Sequence, residues 1–258
     1  MPVAHKQSTA WPYSLGLHLG AHRTATTTLQ TTLDENEAAL GEHGFRVLTP
    51  TSKARRKEFS VRNFSNQILR CCSRGVVGKL KYRRKAANIL RELVGATPRD
   101  RLLISDENLL GPIYEHFDQG IYPKSRCCLV ETGRSLGRVP GVAFLTVRDY
   151  ASFFQSAYAM LALYDPNFFP SEDEVARHDW TSFSRGWDAV VSDIRRALPQ
   201  TLLLVALFED DPVGKNLQAM FGKEASRELE IPENKRINTA PTREAIEHAL
   251  SNKQDEAY

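Results

Sequence analysis

The residues with the most chemistry in this chain lie at 15–30, LGLHLGAHRTATTTLQ. An apolar run from Leu15 to Leu19 leads into Gly20, and Arg23 with Thr24, Thr26, Thr27 and Thr28 then opens a helical pattern. A strand, a tight turn and a helix N-terminus together can hold a phosphate. The free N–H groups of the first helical turn and the positive end of the helix dipole face the anion, and nearby hydroxyls add donors. On that reading the anion contacts are Gly20, Ala21, His22, Arg23, Thr24, Ala25, Thr26 and Thr27. The nucleoside-triphosphate loop Gly-x-x-x-x-Gly-Lys-Ser/Thr is absent, because Ala25 stands at the second Gly and Thr26 at the Lys. A Thr-rich capped helix after a buried strand accounts for the same residues.

Two further segments place polar residues at strand ends. In GVAFLTVRDYASFFQSAY (141–158) the apolar run Val142 to Val147 ends at Arg148, and a helical pattern carries Ser156. Arg148 offers a planar fork of donors suited to phosphate. Ser156, about two turns into the helix, lies near the face of the helix start. An Arg at a sheet edge and a Ser on a solvated helix face is the competing account. RLLISDENLL (101–110) is an apolar strand ending in Ser105-Asp106-Glu107, which reads either as a placed carboxylate or as a helix N-cap with acids in its first turn.

Taken together, these segments resemble the sulfotransferases, bacterial ones especially, whose 5′-phosphosulfate loop runs roughly His-Ile-Gly-x-x-Lys-Thr-Gly-Thr-Thr-x-Leu-Gln. His18, Gly20, Thr24, Thr26, Thr27, Leu29 and Gln30 match, while Arg23 replaces the Lys and Ala25 the Gly. The resemblance implies that Arg148 and Ser156, with the family's eight-residue spacing, hold the 3′-phosphate of the donor. It also implies that Glu107 lies near the acceptor, which makes it the candidate base, with His22 second because an ordinary imidazole titrates near working pH. NKRINTAPTREAIEHAL (234–250) is similar to a closing Arg-x-Asn-x-Ser segment, which makes Arg236 and Asn238 further phosphate contacts. The expected donor is 3′-phosphoadenosine 5′-phosphosulfate, leaving adenosine 3′,5′-bisphosphate, with no metal. The expected activity moves a sulfuryl group to a hydroxyl or amine of a glycan, lipid or small molecule. Two other readings stand beside it. One is a nucleotide-binding protein impaired in turnover. The other is a nucleotide-dependent phosphotransferase of related fold, with Asp106 or Asp149 holding a metal.

The elements that must position these groups alternate. Patterning predicts strands at 15–19, 45–48, 102–106, 141–147 and 201–209, the last as a buried strand. Helices are expected at about 26–41, 82–95, 123–136, 150–163 and 181–198, and 164–174 reads as a loop able to form a lid. Apolar strands alternating with helices imply a parallel sheet covered on both faces, a three-layer α/β/α domain spanning 1–258; the resemblance implies that it is of P-loop-like sulfotransferase type. Ligands on such sheets bind beyond the C-terminal ends of the strands, so Gly20, Glu107 and Arg148 are expected on one rim.

Composition bounds the rest. The chain has 258 residues, 41% hydrophobic and 25% charged, as a globular domain of this size would. Residues 53–85 carry twelve Lys or Arg and one acid, Glu58, so this segment is +11 against −8 for the remainder. It reads as a basic insertion, either solvated or collecting an anionic partner such as the nucleotide or an acidic acceptor. Few aromatics accompany it, which disfavours nucleic acid. No run is long enough to span a membrane and the first residues lack a signal's apolar region, so a cytoplasmic protein is expected, which within the resemblance implies a bacterial-type enzyme. Cys71-Cys72 and Cys127-Cys128 are expected to be reduced.

Overall fold

A computed structural model of the chain describes residues 13–52, 59–94, 101–115, 119–164, 185–231, 244–246 and 248. The strands β1 (Leu15–His18), β2 (Phe45–Leu48), β3 (Arg101–Ser105), β4 (Val142–Val147) and β5 (Leu202–Leu207) form one sheet in the order β2-β3-β1-β4-β5. Every pairing is parallel. Parallel neighbours require long crossovers. Helices α1 (Thr26–Glu35) and α2 (Glu37–Glu42) carry the chain from β1 to β2. α3 (Val61–Cys72) and α4 (Val76–Val94) lead to β3, and α5 (Ser125–Leu136) to β4. α6 (Tyr150–Tyr164) and α7 (Trp187–Ala197) precede β5, and α8 (Pro212–Arg227) follows it. The fold is therefore α/β with an all-parallel sheet.

Alternation along the strands builds two cores. Leu15, Leu17, Leu102, Ile104, Ala143 and Leu145 pack with α3, α4, α5, α6 and α7 on one face. Phe45, Val47, Leu103, Val142 and Phe144 pack on the other with Leu29 and Leu33 of α1 and Leu217, Met220 and Phe221 of α8. β1 and β4 are buried along their whole length, as the near-continuous apolar runs required. No helix among the described residues is long and apolar enough to cross a membrane.

Four expectations need correction or refinement. The helix expected over 26–41 is broken at Asn36, whose side chain is committed elsewhere. Its Nδ2 donates to the carbonyls of Thr32 (2.8 Å) and Glu230 (2.9 Å), and its Oδ1 accepts from Glu230 N (3.0 Å). β5 is a strand but not a buried one. It is the sheet edge, and Leu202, Leu204, Val205 and Leu207 are exposed. An apolar run does not by itself distinguish an edge from a centre. The basic stretch is helical over Val61–Cys72 and Val76–Val94, two helices of the β2–β3 crossover. Val61, Phe64, Ile68, Ala86, Ile89 and Leu90 join the core, at the three- and four-residue spacing of a packed helix face.

The cysteines are the fourth case. Cys72 and Cys127 form a disulfide between α3 and α5, where reduced thiols were expected. Sequence gave only two adjacent pairs; the crossing of the two helices brings one member of each within bonding reach. Cys71 and Cys128 remain free and buried, and burial pushes their thiols up to about 11 and about 12. Beside this bond lies Glu131, which has no exposed side-chain surface. It accepts from Arg83 Nε (2.6 Å) and Nη2 (3.0 Å) and pairs with Lys79 (3.3 Å) and Arg134 (3.0 Å). Burial raises the affinity of its carboxylate for a proton, but the hydrogen bonds and charges of Arg83 and Lys79 outweigh that and hold the pKa low. Arg83 and Lys79 are thus structural cations, not part of a free basic surface.

Candidate functional site

β1 lies between β3 and β4, so the chain departs to opposite sides of it, and the C-terminal end of β1 is the place where open parallel sheets bind ligands. Register holds its rim together: His18 pairs with Ser105 and Phe144, Leu19 N donates to Phe144 O (2.8 Å), and Ala21 N to Thr146 O (3.3 Å). Gly20, Glu107 and Arg148 therefore share one edge of the sheet.

The turn between β1 and α1 is strained at two residues. Arg23 has φ 65° and Ala25, the N-cap, has φ 58° and ψ 23°. A non-glycine residue in this left-handed region costs about 1–2 kcal/mol. Ala25 also supplies no side-chain cap to α1. Thr24 does not replace it, because its Oγ1 donates back to Ala21 O (2.6 Å). Gly20 is required by contact. A Cβ there would lie 2.5 Å from Thr26 Cγ2 and 2.6 Å from His18 Cε1. His18 is buried with Nδ1 2.8 Å from Ser105 Oγ, and its Nε2 has no partner among the described residues. Burial lowers its pKa to about 4, so the ring is neutral.

On one side of the turn stand two cations. Arg23 donates from Nε to Ser156 Oγ (2.7 Å), and Arg148 donates from Nη1 to the Arg23 carbonyl (3.0 Å). The Arg148 guanidinium lies 4.5 Å from the centre of the Phe208 ring, its carbonyl accepts from Trp187 Nε1 (2.8 Å), and its buried Nε has no partner among the described residues. Burial first, and then the charge of Arg148, lower the pKa of Arg23. The charge of Arg148 acting on Arg23 makes this side of the turn electropositive, which favours an anion beside it.

On the other side stand the acids. Gln30 Nε2 donates to Glu107 Oε2 (3.0 Å) and reaches Ser105 Oγ at 3.4 Å, so Glu107 is held from α1. Asp106 is fully buried. Ser65 Oγ donates to its Oδ2 (2.5 Å), and Asn108 N and Nδ2 donate to its Oδ1 (3.0 and 2.8 Å). Burial, and then the charge of Glu107, raise its pKa to about 6. Asp149 caps α6, its Oδ1 accepting from Ser152 N (2.9 Å).

His22 differs from the expectation of a base titrating near working pH. Its backbone N–H donates to the Tyr122 hydroxyl (2.6 Å). The same hydroxyl lies 2.7 Å from His22 Nδ1, so Tyr122 holds both the backbone and the ring of His22. Burial, partly offset by the Asp106 charge and an Asn108 hydrogen bond, lowers the His22 pKa to about 4. Tyr122, itself at φ 49°, carries the site's least legible contribution. It lies on a loop 100 positions from His22, and nothing periodic marks it. Gln30 was visible in the sequence only as a match, without its Glu107 contact. Arg236, Asn238 and nearly all of the 164–174 loop lie outside the described residues. No group of three or more His, Cys, Asp or Glu that could hold a metal ion occurs among the described residues.

Compared with protein-family models and with curated proteins, the sequence matches none.

Proposed function

We propose that the chain is a P-loop-like α/β/α sulfotransferase that binds 3′-phosphoadenosine 5′-phosphosulfate and transfers its sulfuryl group to a hydroxyl or amine of an acceptor. The observation that carries this reading is the convergence of Arg23, Arg148 and Ser156 beside the N-terminus of α1. The orphaned Arg148 Nε and the two guanidiniums suit a phosphate with several acceptor oxygens. When bound, the donor supplies a sulfuryl group on a phosphate leaving group that gathers negative charge as it departs, by analogy with phosphoryl transfer.

The chain's own residues divide the work. Arg23 and the first-turn N–H groups of α1 face the negative charge and stabilise it; Arg23 stays protonated and acts by charge and hydrogen bonding. Arg148 and Ser156 bind the 3′-phosphate and set the register of the nucleotide. Glu107, oriented by Gln30, accepts the acceptor's proton. His22, neutral and held by Tyr122, is a hydrogen-bonding group on this reading and not a base at neutral pH.

A second reading is favoured by one observation: Arg23 is drawn to Ser156 through a strained turn, consistent with a nucleotide-binding protein that does not turn over. Calorimetry tests the shared site. Adenosine 3′,5′-bisphosphate should bind without magnesium, about one to two decades tighter than adenosine 5′-monophosphate, the worth of one charge-assisted contact set. Equal affinities would sink the assignment. Release of labelled sulfate to an acceptor panel from sulfur-labelled donor separates the enzyme from the binder.

A further inference from the structure

The hairpin of α3 and α4 carries a second apolar surface that the core does not use. At the start of α4, Val76 is 78% exposed, Val77 85% and Leu80 48%. At about 100° per residue these three fall within one arc of the helix, away from the arc of Ala86, Ile89, Leu90 and Leu93 that packs inward. Cations surround the tip. Arg74, Lys81, Arg84 and Lys85 are exposed, and from Phe59 to Arg91 the sequence contains no acid. Lys79 and Arg83, on the inner side, are already engaged by Glu131.

We propose that this tip docks on an anionic lipid surface. Val76, Val77 and Leu80 enter the headgroup boundary while the surrounding guanidinium and ammonium groups meet the lipid phosphates. Exposed apolar side chains ringed by one sign of charge fit that surface better than a dissolved polyanion, which gains nothing from them. Base stacking is poorly served, because the ring of Tyr82 is already approached by both Arg70 and Lys85, each 5.8 Å from its centre. The inference is independent of whether the rim of the sheet transfers a sulfuryl group.

Vesicle flotation of the full chain tests it. The protein should float with phosphatidylcholine vesicles containing phosphatidylglycerol, should not float with phosphatidylcholine alone, and should be released as salt rises. Replacing Arg74, Arg84 and Lys85 by Gln should weaken partitioning roughly a hundredfold, at about fivefold per cation. The variant V76S/V77S/L80S should lose at least about tenfold. These side chains are exposed, so melting temperatures should stay unchanged. As a second readout, Val77→Trp should give a blue-shifted difference fluorescence over wild type on adding anionic vesicles. Equal flotation with neutral and anionic vesicles, undiminished flotation of the serine variant, or an unshifted Trp spectrum would each overturn the proposal. So would retention on heparin or single-stranded DNA at physiological salt without vesicle binding, which would assign the surface to a polyanion.

Discussion

Arg23 and Ser156, 133 positions apart, are joined by a hydrogen bond of 2.7 Å from the guanidinium Nε to the hydroxyl. The bond ties the turn after β1 to the second turn of α6. One side chain thereby links the two segments that the resemblance assigns to opposite ends of the nucleotide. A donor that separates this pair must replace the contact with its own oxygens.

The first prediction concerns that pair. In nucleotide binding, Arg23→Ala and Ser156→Ala should be non-additive, with a coupling of about 1–2 kcal/mol in a double-mutant cycle by calorimetry. If the protein turns over, Arg23→Ala should also lower kcat by ~10²–10³, whereas Arg23→Lys should retain substantial activity. Full activity in Arg23→Ala would remove Arg23 from the chemistry.

Ala25 tests the strain. Because its φ of 58° suits glycine, Ala25→Gly should stabilise the protein by about 1 kcal/mol in denaturant unfolding, after allowing for glycine's freer unfolded chain. Gly20→Ala should act in the opposite direction by more than this, since its Cβ meets the His18 ring and Thr26. A neutral Gly20→Ala would show that the ring has room to move.

The histidines set a pH dependence. His18 and His22 both have folded pKa values near 4, below the ordinary 6.5, so the unfolded chain binds more protons in that window. Stability should therefore rise from about pH 4 to 6.5, with His18 alone contributing up to roughly 3 kcal/mol. Asp106, raised to about 6, works in the opposite sense over about pH 4 to 6, and one acid does not cancel two imidazoles. Urea midpoints at pH 4.5 and 7 should differ accordingly, and His18→Asn should reduce the difference. A flat profile in the wild-type protein would contradict the burial of both rings.

The disulfide gives a fourth test. Cys72 and Cys127 are 55 positions apart, so on the chain-entropy account opening the bond should cost about 4 kcal/mol. A phosphine reductant should lower the melting temperature of the wild-type protein and leave Cys72→Ser/Cys127→Ser unmoved. Equal sensitivity of the two would mean that the bond contributes nothing.

Arg83 and Arg84 are neighbours in sequence with different roles. Arg83→Ala should destabilise by about 1–3 kcal/mol because it strips a bidentate partner from the fully buried Glu131, whereas Arg84→Ala, at an exposed position, should stay within about 0.5 kcal/mol. Thermal melts of the two single variants are sufficient to distinguish them.

The sequence by itself determined the strand–helix alternation and hence the parallel α/β sheet, because short apolar runs such as Val142 to Val147 alternate with longer helical stretches that serve as crossovers. It also determined that Gly20, Glu107 and Arg148 share a rim, since each follows a strand and parallel strands end together. Only the tertiary structure decided which cation meets which partner. Arg23 reaching Ser156, Tyr122 holding His22, Glu131 taking Arg83, and Cys72 finding Cys127 all join residues 48 or more positions apart. Local periodicity carries no term for such pairs. The pKa shifts of His22 and Asp106 followed the same route, because burial dominates both, and how deeply a polar residue at a strand end is buried depends on the elements that close over it. The exposure of β5 did too: its sequence is that of a core strand, and only its place at the end of the sheet order leaves it facing water.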